Sequence, residues 1–77
     1  MRTFDDETGR TWQAAVLEAS YGVQVLLFSP LEGSEMQIVY LESQNALDAG
    51  QELEALTDDD LRSRLADSED WEQMLQF

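Results

Sequence analysis

Three kinds of side chain are missing from this sequence altogether: it contains no cysteine, no histidine and no lysine. Without cysteine there is no disulfide, no thiolate zinc site and no thiol nucleophile. Without histidine there is no imidazole base near neutral pH and no imidazole metal ligand. Without lysine there is no Schiff base and no phosphate-loop ammonium. All side-chain positive charge rests on four arginines, Arg2, Arg10, Arg62 and Arg64. Apolar runs are short: VLLF at 25–28 has four residues, and crossing a bilayer takes about 20. The first ten residues, MRTFDDETGR, lack the apolar stretch of a secretory signal, so the expected location is the cytoplasm.

What remains for acid–base chemistry is Asp, Glu, Tyr21 and Tyr40. A carboxylate pair could serve a glycosidase, but such a pair needs a cleft, and the chain has only 77 residues. A domain of that size buries about 60% of the surface its unfolded chain exposes. The expectation is one domain over residues 1–77, not an enzyme, with no catalytic residues, no cofactor and no metal site. A carboxylate enzyme is a distant alternative.

The first 41 residues read as strands and turns. RTF, DDETG and RTWQAAVL have the pattern of a hairpin in which Gly9 supplies the positive φ of the turn. Trp12, Ala14 and Val16 share one face of its second strand. SYG at 20–22 breaks the run, and VQVLLF at 23–28, the loop SPLEGS and EMQIVYLE at 35–42 follow. The last two strands are apolar on both faces. Val23, Val25 and Leu27 oppose Leu26 and Phe28; Met36, Ile38 and Tyr40 oppose Val39 and Leu41. A sheet with one wet face alternates more cleanly, so these strands are expected to be central and covered on each side. Helices cover one side. The other calls for strand curvature, the C-terminal tail or a second subunit, the last as at most a weak, salt-favoured homodimer of an otherwise monomeric chain.

From residue 43 the period changes. Ala46, Ala49, Gly50, Leu53 and Leu56 recur at three- and four-residue intervals, the stripe of an amphipathic helix, with Leu47 at its margin and Ser43 or Asn45 as its cap. Leu61 and Leu65 continue the pattern, and the same face reaches Ser68, Trp71 and Leu75. The tail therefore either extends this helix or starts a short third one capped by Ser68. The fold predicted is α+β: a small antiparallel sheet of three to four strands in the N-terminal half, then two to three helices packed on one face. Its shared core is Leu26, Phe28, Val39, Leu53, Leu56, Leu61 and Leu65.

The run TDDD at 57–60 has the form of a helix start, with Thr57 as capping hydroxyl and acids in the first turn, where the helix dipole favours them. Thr57 and Asp60 have capping-box spacing. Asp58 and Asp60 stand four residues before Arg62 and Arg64, the favourable order for helix ion pairs. Adjacent helical positions point about 100° apart, so the three aspartates do not converge on one cation, and nothing matches a calcium-loop spacing. The acids DDE at 5–7 suit a solvated hairpin tip.

Seventeen acids against four arginines give a net charge of −13. The balance is uneven: residues 1–41 carry −4 and residues 42–77 carry −9. Nucleic-acid binding needs the opposite sign, as does attraction to an anionic membrane. Many acids, few arginines and no lysine resemble the composition of proteins from organisms that keep molar salt in their cytoplasm. On that reading the charge marks habitat, and the role is that of a non-enzymatic accessory or interaction domain with an unknown protein partner. The alternative is a nucleic-acid mimic, an acidic surface that occupies a DNA- or RNA-binding protein. The tail SEDWEQMLQF offers a possible partner-binding segment in Trp71, Met74, Leu75 and Phe77, unless Trp71 closes the protein's own core.

If self-repulsion is tuned to a salty interior, the melting temperature should climb as sodium chloride rises from about 0.01 M to 1 M, over which the Debye length shrinks from about 30 Å to about 3 Å. A thermal melt that is flat across that range rules the habitat explanation out.

Overall fold

The computed structural model describes residues 2–18, 23–43 and 45–70. Five strands and two helices run in the order β1 (Arg2–Asp5), β2 (Thr11–Glu18), β3 (Gln24–Pro30), β4 (Gln37–Tyr40), α1 (Ala46–Ala55), α2 (Asp58–Asp67) and β5 (Glu69–Asp70). The strands form one antiparallel sheet whose spatial order is their chain order. The architecture is thus α+β, with the two helices inserted between the last two strands.

Register decides which side chains meet the helices. Ala14 lies opposite both Arg2 and Phe28, Trp12 opposite Phe4 and Pro30, and Leu26 opposite Val16 and Val39. Directly opposed residues point to the same side of a sheet, so Phe4, Trp12, Ala14, Leu26 and Phe28 form one apolar surface. Ala49 and Leu53 of α1 and Leu61 of α2 close over it, with Val16, Val39, Leu56 and Leu65 packed around the rim. Of the seven core residues predicted from the sequence, Leu26, Phe28, Leu53 and Leu61 are buried in this cluster, and Val39, Leu56 and Leu65 are partly buried against it. Phe4 and Phe28 meet edge to face, ring centres 5.8 Å apart, the arrangement that brings the positive ring edge to the negative ring face. The helix α2 touches both β1 and β4. Ten residues of helix are about 15 Å long, and three inter-strand steps are about 14 Å, so α2 lies across the strands.

The other face of the sheet is also apolar at its centre. Val25 and Ile38 are 0% and 3% exposed within the single chain, while Tyr40 is 56% exposed. The central strands are therefore dry on both sides at these positions, as their sequence requires.

The strand limits differ from the sequence pattern. Pro30, expected in a loop, is buried and closes β3 opposite Trp12; as the last residue of the strand it removes no interior ladder bond. Val23, Glu35, Met36, Leu41 and Glu42 fall outside the strands, and Val23 and Met36 are exposed. The largest correction is at the end of α2. Ser68 neither continues that helix nor caps a third one. It is the C-cap, its hydroxyl donating to the Leu65 carbonyl, and Glu69 and Asp70 then pair with Ile38 and Gln37 as a fifth strand. An unpaired β4 edge supplies the backbone partners that tip two acidic residues into a strand.

Arg2 locks the two layers together. Its guanidinium donates to the carbonyls of Leu53 at 2.9 Å and Leu56 at 2.6 Å, and to Asp58 Oδ1 at 3.1 Å. Both carbonyls lie at the C-terminal end of α1, where the Leu53 carbonyl also accepts from the Leu56 amide at 3.3 Å, and a cation there opposes the negative end of the helix dipole. Arg62 makes a second link, donating from Nε to the Asp5 carbonyl at 2.7 Å.

Two substitutions test this packing. Leu53→Ala, at a site 3% exposed, should destabilise by about 2–5 kcal/mol. Arg2→Ala should cost about 1–3 kcal/mol by stranding partly buried carbonyls, and Arg2→Lys should recover only part because an ammonium cannot fork. Urea unfolding of the three variants checks both, and a loss below about 0.5 kcal/mol for Leu53→Ala contradicts the burial of its side chain.

Candidate interaction surface

The acid-rich segments resolve first into structural roles. Thr57 Oγ1 accepts from the Asp60 amide at 3.1 Å, and Asp60 Oδ2 accepts from the Thr57 amide at 3.0 Å, a complete capping box. The Thr57 amide first, and then the Thr57 hydroxyl, hold the Asp60 carboxyl below its ordinary range. Asp58 turns to Arg2, and Arg62 pairs with Asp59 three residues before it. The expected pairing of Asp58 with Arg62 is thus replaced, because Arg2 reaches Asp58 from the sheet while Arg62 is drawn towards the Asp5 carbonyl.

At the hairpin tip a single carboxylate organises the turn. Asp6 Oδ1 accepts from the Thr8 amide, the Thr8 hydroxyl and the Arg10 amide, and Oδ2 accepts from Trp12 Nε1 at 2.9 Å. The bonds from Thr8 and Trp12 hold the Asp6 carboxyl far below the usual carboxylate range. Gly9 takes φ 89° in this turn. Arg10 stacks on the Trp12 ring at 4.9 Å, pairs with Glu35 at 2.6 Å and donates to the Glu32 carbonyl at 3.0 Å. The bare backbone of Gly33 makes room for that guanidinium: a Cβ there would stand 2.6 Å from Arg10 Nη2. Among the described residues no cluster of three or more acidic side chains is arranged to hold a metal ion.

The surface left over is the outer wall of α1. Asn45 caps this helix, its Oδ1 accepting from the Asp48 amide at 2.9 Å. Only Ala49 and Leu53 are buried. Ala46, predicted on the buried stripe, is exposed, and Leu47, predicted at its margin, is 72% exposed, the most open large apolar side chain described. The sheet meets the middle of the helix and covers a narrower arc than the apolar stripe. Beside Leu47 an open, largely apolar hollow of about 510 Å³ is lined by Ala46, Leu47, Gly50, Gln51, Glu54 and Ala55. Gly50 lines it, and a Cβ at Gly50 would meet no atom of the described residues within 4 Å. Glycine inside a helix costs about 1 kcal/mol relative to alanine, and no contact among the described residues requires a glycine here. Glu54 has no hydrogen-bond or ion-pair partner among the described residues.

Of the residues singled out in the sequence for partner binding, Trp71, Met74, Leu75 and Phe77 lie outside the described residues. Gly50 was legible as a helix-weakening residue, but its periodicity assigned it to the core stripe. Only the position of the sheet shows that it borders solvent.

Comparison with known proteins adds no relative: no family model, no curated protein and no solved structure matches this chain.

The Asp6 network makes a pH prediction. Its folded-state pKa is depressed, so its contribution to stability is present above the unfolded value of about 3.9 and is lost as pH falls below it. Asp6→Asn should melt below the wild type at pH 7, and that gap should narrow steadily from about pH 4 to pH 2. Paired thermal melts across that range provide the measurement; a gap independent of pH contradicts the role of the ionised carboxylate.

Proposed function

We propose that the protein is a non-enzymatic accessory domain of a salt-rich cytoplasm that acts by binding another protein. The observation that carries this reading is the outer wall of α1, where Leu47 stands open to solvent next to the bare backbone of Gly50. Both features lower the stability or solubility of the free domain, and an apolar opening of this kind is put to use when a partner covers it. Composition supports the setting: a net charge of −13 on 77 residues with no lysine keeps a chain soluble where salt screens its self-repulsion. No helix among the described residues is long and apolar enough to cross a membrane.

Nucleic-acid mimicry is the second reading, supported by exposed carboxylates along α2. All three of its leading aspartates are engaged inside the domain, Asp58 by Arg2, Asp59 by Arg62 and Asp60 by Thr57. Mimicry then rests on net charge alone, and interaction through α1 is the better supported. In isolation the domain is a monomer, or at most a weak homodimer favoured by salt.

The test is co-purification from extract of the source cells at their own internal salt, with Leu47→Ser beside the wild type. The reading expects a stoichiometric protein partner that stays bound through gel filtration with the wild type and is lost with Leu47→Ser. A chain that elutes alone from low to molar salt overturns it, and a partner released by added DNA transfers the support to mimicry.

A further inference from the structure

We infer that the hollow on α1 is a socket for one large apolar side chain carried by a basic amphipathic helix of the partner. This deepens the interaction reading above and rests on it. The argument is geometric first. Leu47, Gly50, Gln51 and Glu54 occupy positions i, i+3, i+4 and i+7 of one helix. Four residues at that spacing form the diamond-shaped hole into which a facing helix inserts a side chain when two helices pack. Gly50 lowers the surface between them, because it carries no Cβ and no atom of the described residues lies within 4 Å of where one would stand. Ala46 and Ala55 keep the neighbouring wall low, which lets a second backbone approach closely. A strand would not match the hole, since its side chains alternate at a period of two.

Charge then selects the occupant. Glu54 lines the hollow without an internal partner among the described residues, Asp48 is exposed on the same helix, and the chain as a whole carries −13. A second copy of this chain would bring the same carboxylates face to face. A helix with leucine or methionine on one face and arginine or lysine flanking it offers both the apolar knob and the opposite charge. Attraction between the opposed charges would speed encounter, and the knob in the socket would hold the complex.

The test uses the full chain and a labelled synthetic helical peptide with leucine on one face and arginine on the other, titrated by fluorescence anisotropy at about 0.15 M and 1 M sodium chloride. Gly50→Leu plugs the socket at a position where an added Cβ meets no atom of the described residues within 4 Å, so the domain should remain folded, which its thermal melt checks. Gly50→Ala, with its better helix former, should melt higher than the wild type. The socket expects Gly50→Leu to bind the peptide about tenfold more weakly, the scale of one well-seated contact, and expects that ratio to persist in 1 M salt. It expects Asp67→Asn, a charge removed from the exposed end of α2, to bind like the wild type. A peptide in which serine replaces leucine should bind no better than to Gly50→Leu.

Equal binding by wild type and Gly50→Leu overturns the socket, as does equal binding of the leucine and serine peptides, which would show charge attraction alone. The two levels of the proposal fail separately. A Gly50→Leu domain that still retains the native partner in extract removes the socket and leaves the interaction reading standing. Absence of any partner for the wild-type domain removes the interaction reading itself.

Discussion

The guanidinium of Arg2 is the contact on which the arrangement of layers depends. It reaches from the first strand to the place where α1 ends and α2 begins, donating to the carbonyls of Leu53 and Leu56 and to the carboxylate of Asp58. A junction of two helices has unsatisfied carbonyls at the end of the first and free amides at the start of the second. Here a cation meets the carbonyl end while Thr57 and Asp60 satisfy the amide end. The helix pair is thereby fixed at the side of β1 as well as by its apolar contacts. The position of Ala49, Leu53 and Leu61 over Phe4, Trp12 and Phe28 follows from that anchor together with the register of the sheet.

In a chain with many acids and few cations, what each arginine does becomes informative. Arg2, Arg10 and Arg62 each donate to a backbone carbonyl far away in sequence, and each also meets a carboxylate. A planar guanidinium can serve two acceptors at once because its donors diverge in a fixed fork, whereas an ammonium concentrates its charge at one point. Each of these arginines therefore joins two parts of the fold while neutralising one acid. The carboxylates left facing solvent contribute repulsion, which salt screens, and solubility, which salt does not abolish. The α1 wall fits this economy of contacts. There an exposed leucine, a glycine and a glutamate without a partner among the described residues lie together.

Much of the fold was legible in the residues. The two-sided apolar pattern of Val25–Phe28 and Ile38–Tyr40 marked central strands, Gly9 marked the hairpin turn, and the four-residue spacing of Ala49 with Leu53 and of Leu61 with Leu65 marked helices against a sheet. Thr57 with Asp60 wrote its own capping box. These features rest on contacts between residues close in sequence or on periodicity, which the chain carries whatever it later packs against.

Other features needed partners distant in sequence. Glu69 and Asp70 have no strand pattern of their own and become β5 only because the edge of β4 offers them backbone hydrogen bonds. Asp58 left its helical neighbour Arg62 for Arg2 once folding brought the first strand to the helix junction. Leu47 and Gly50 belong to an apolar stripe wider than the sheet could cover, so which of its members faced solvent was settled by where α1 came to rest on β2. The sequence by itself determined the class of fold, part of the core and the Thr57 capping box, because local sterics and hydrophobic period act along the chain. Tertiary structure decided the fifth strand, the partners of Arg2 and Arg10 and the open wall of α1, because each depends on which surfaces meet across more than ten residues of intervening chain.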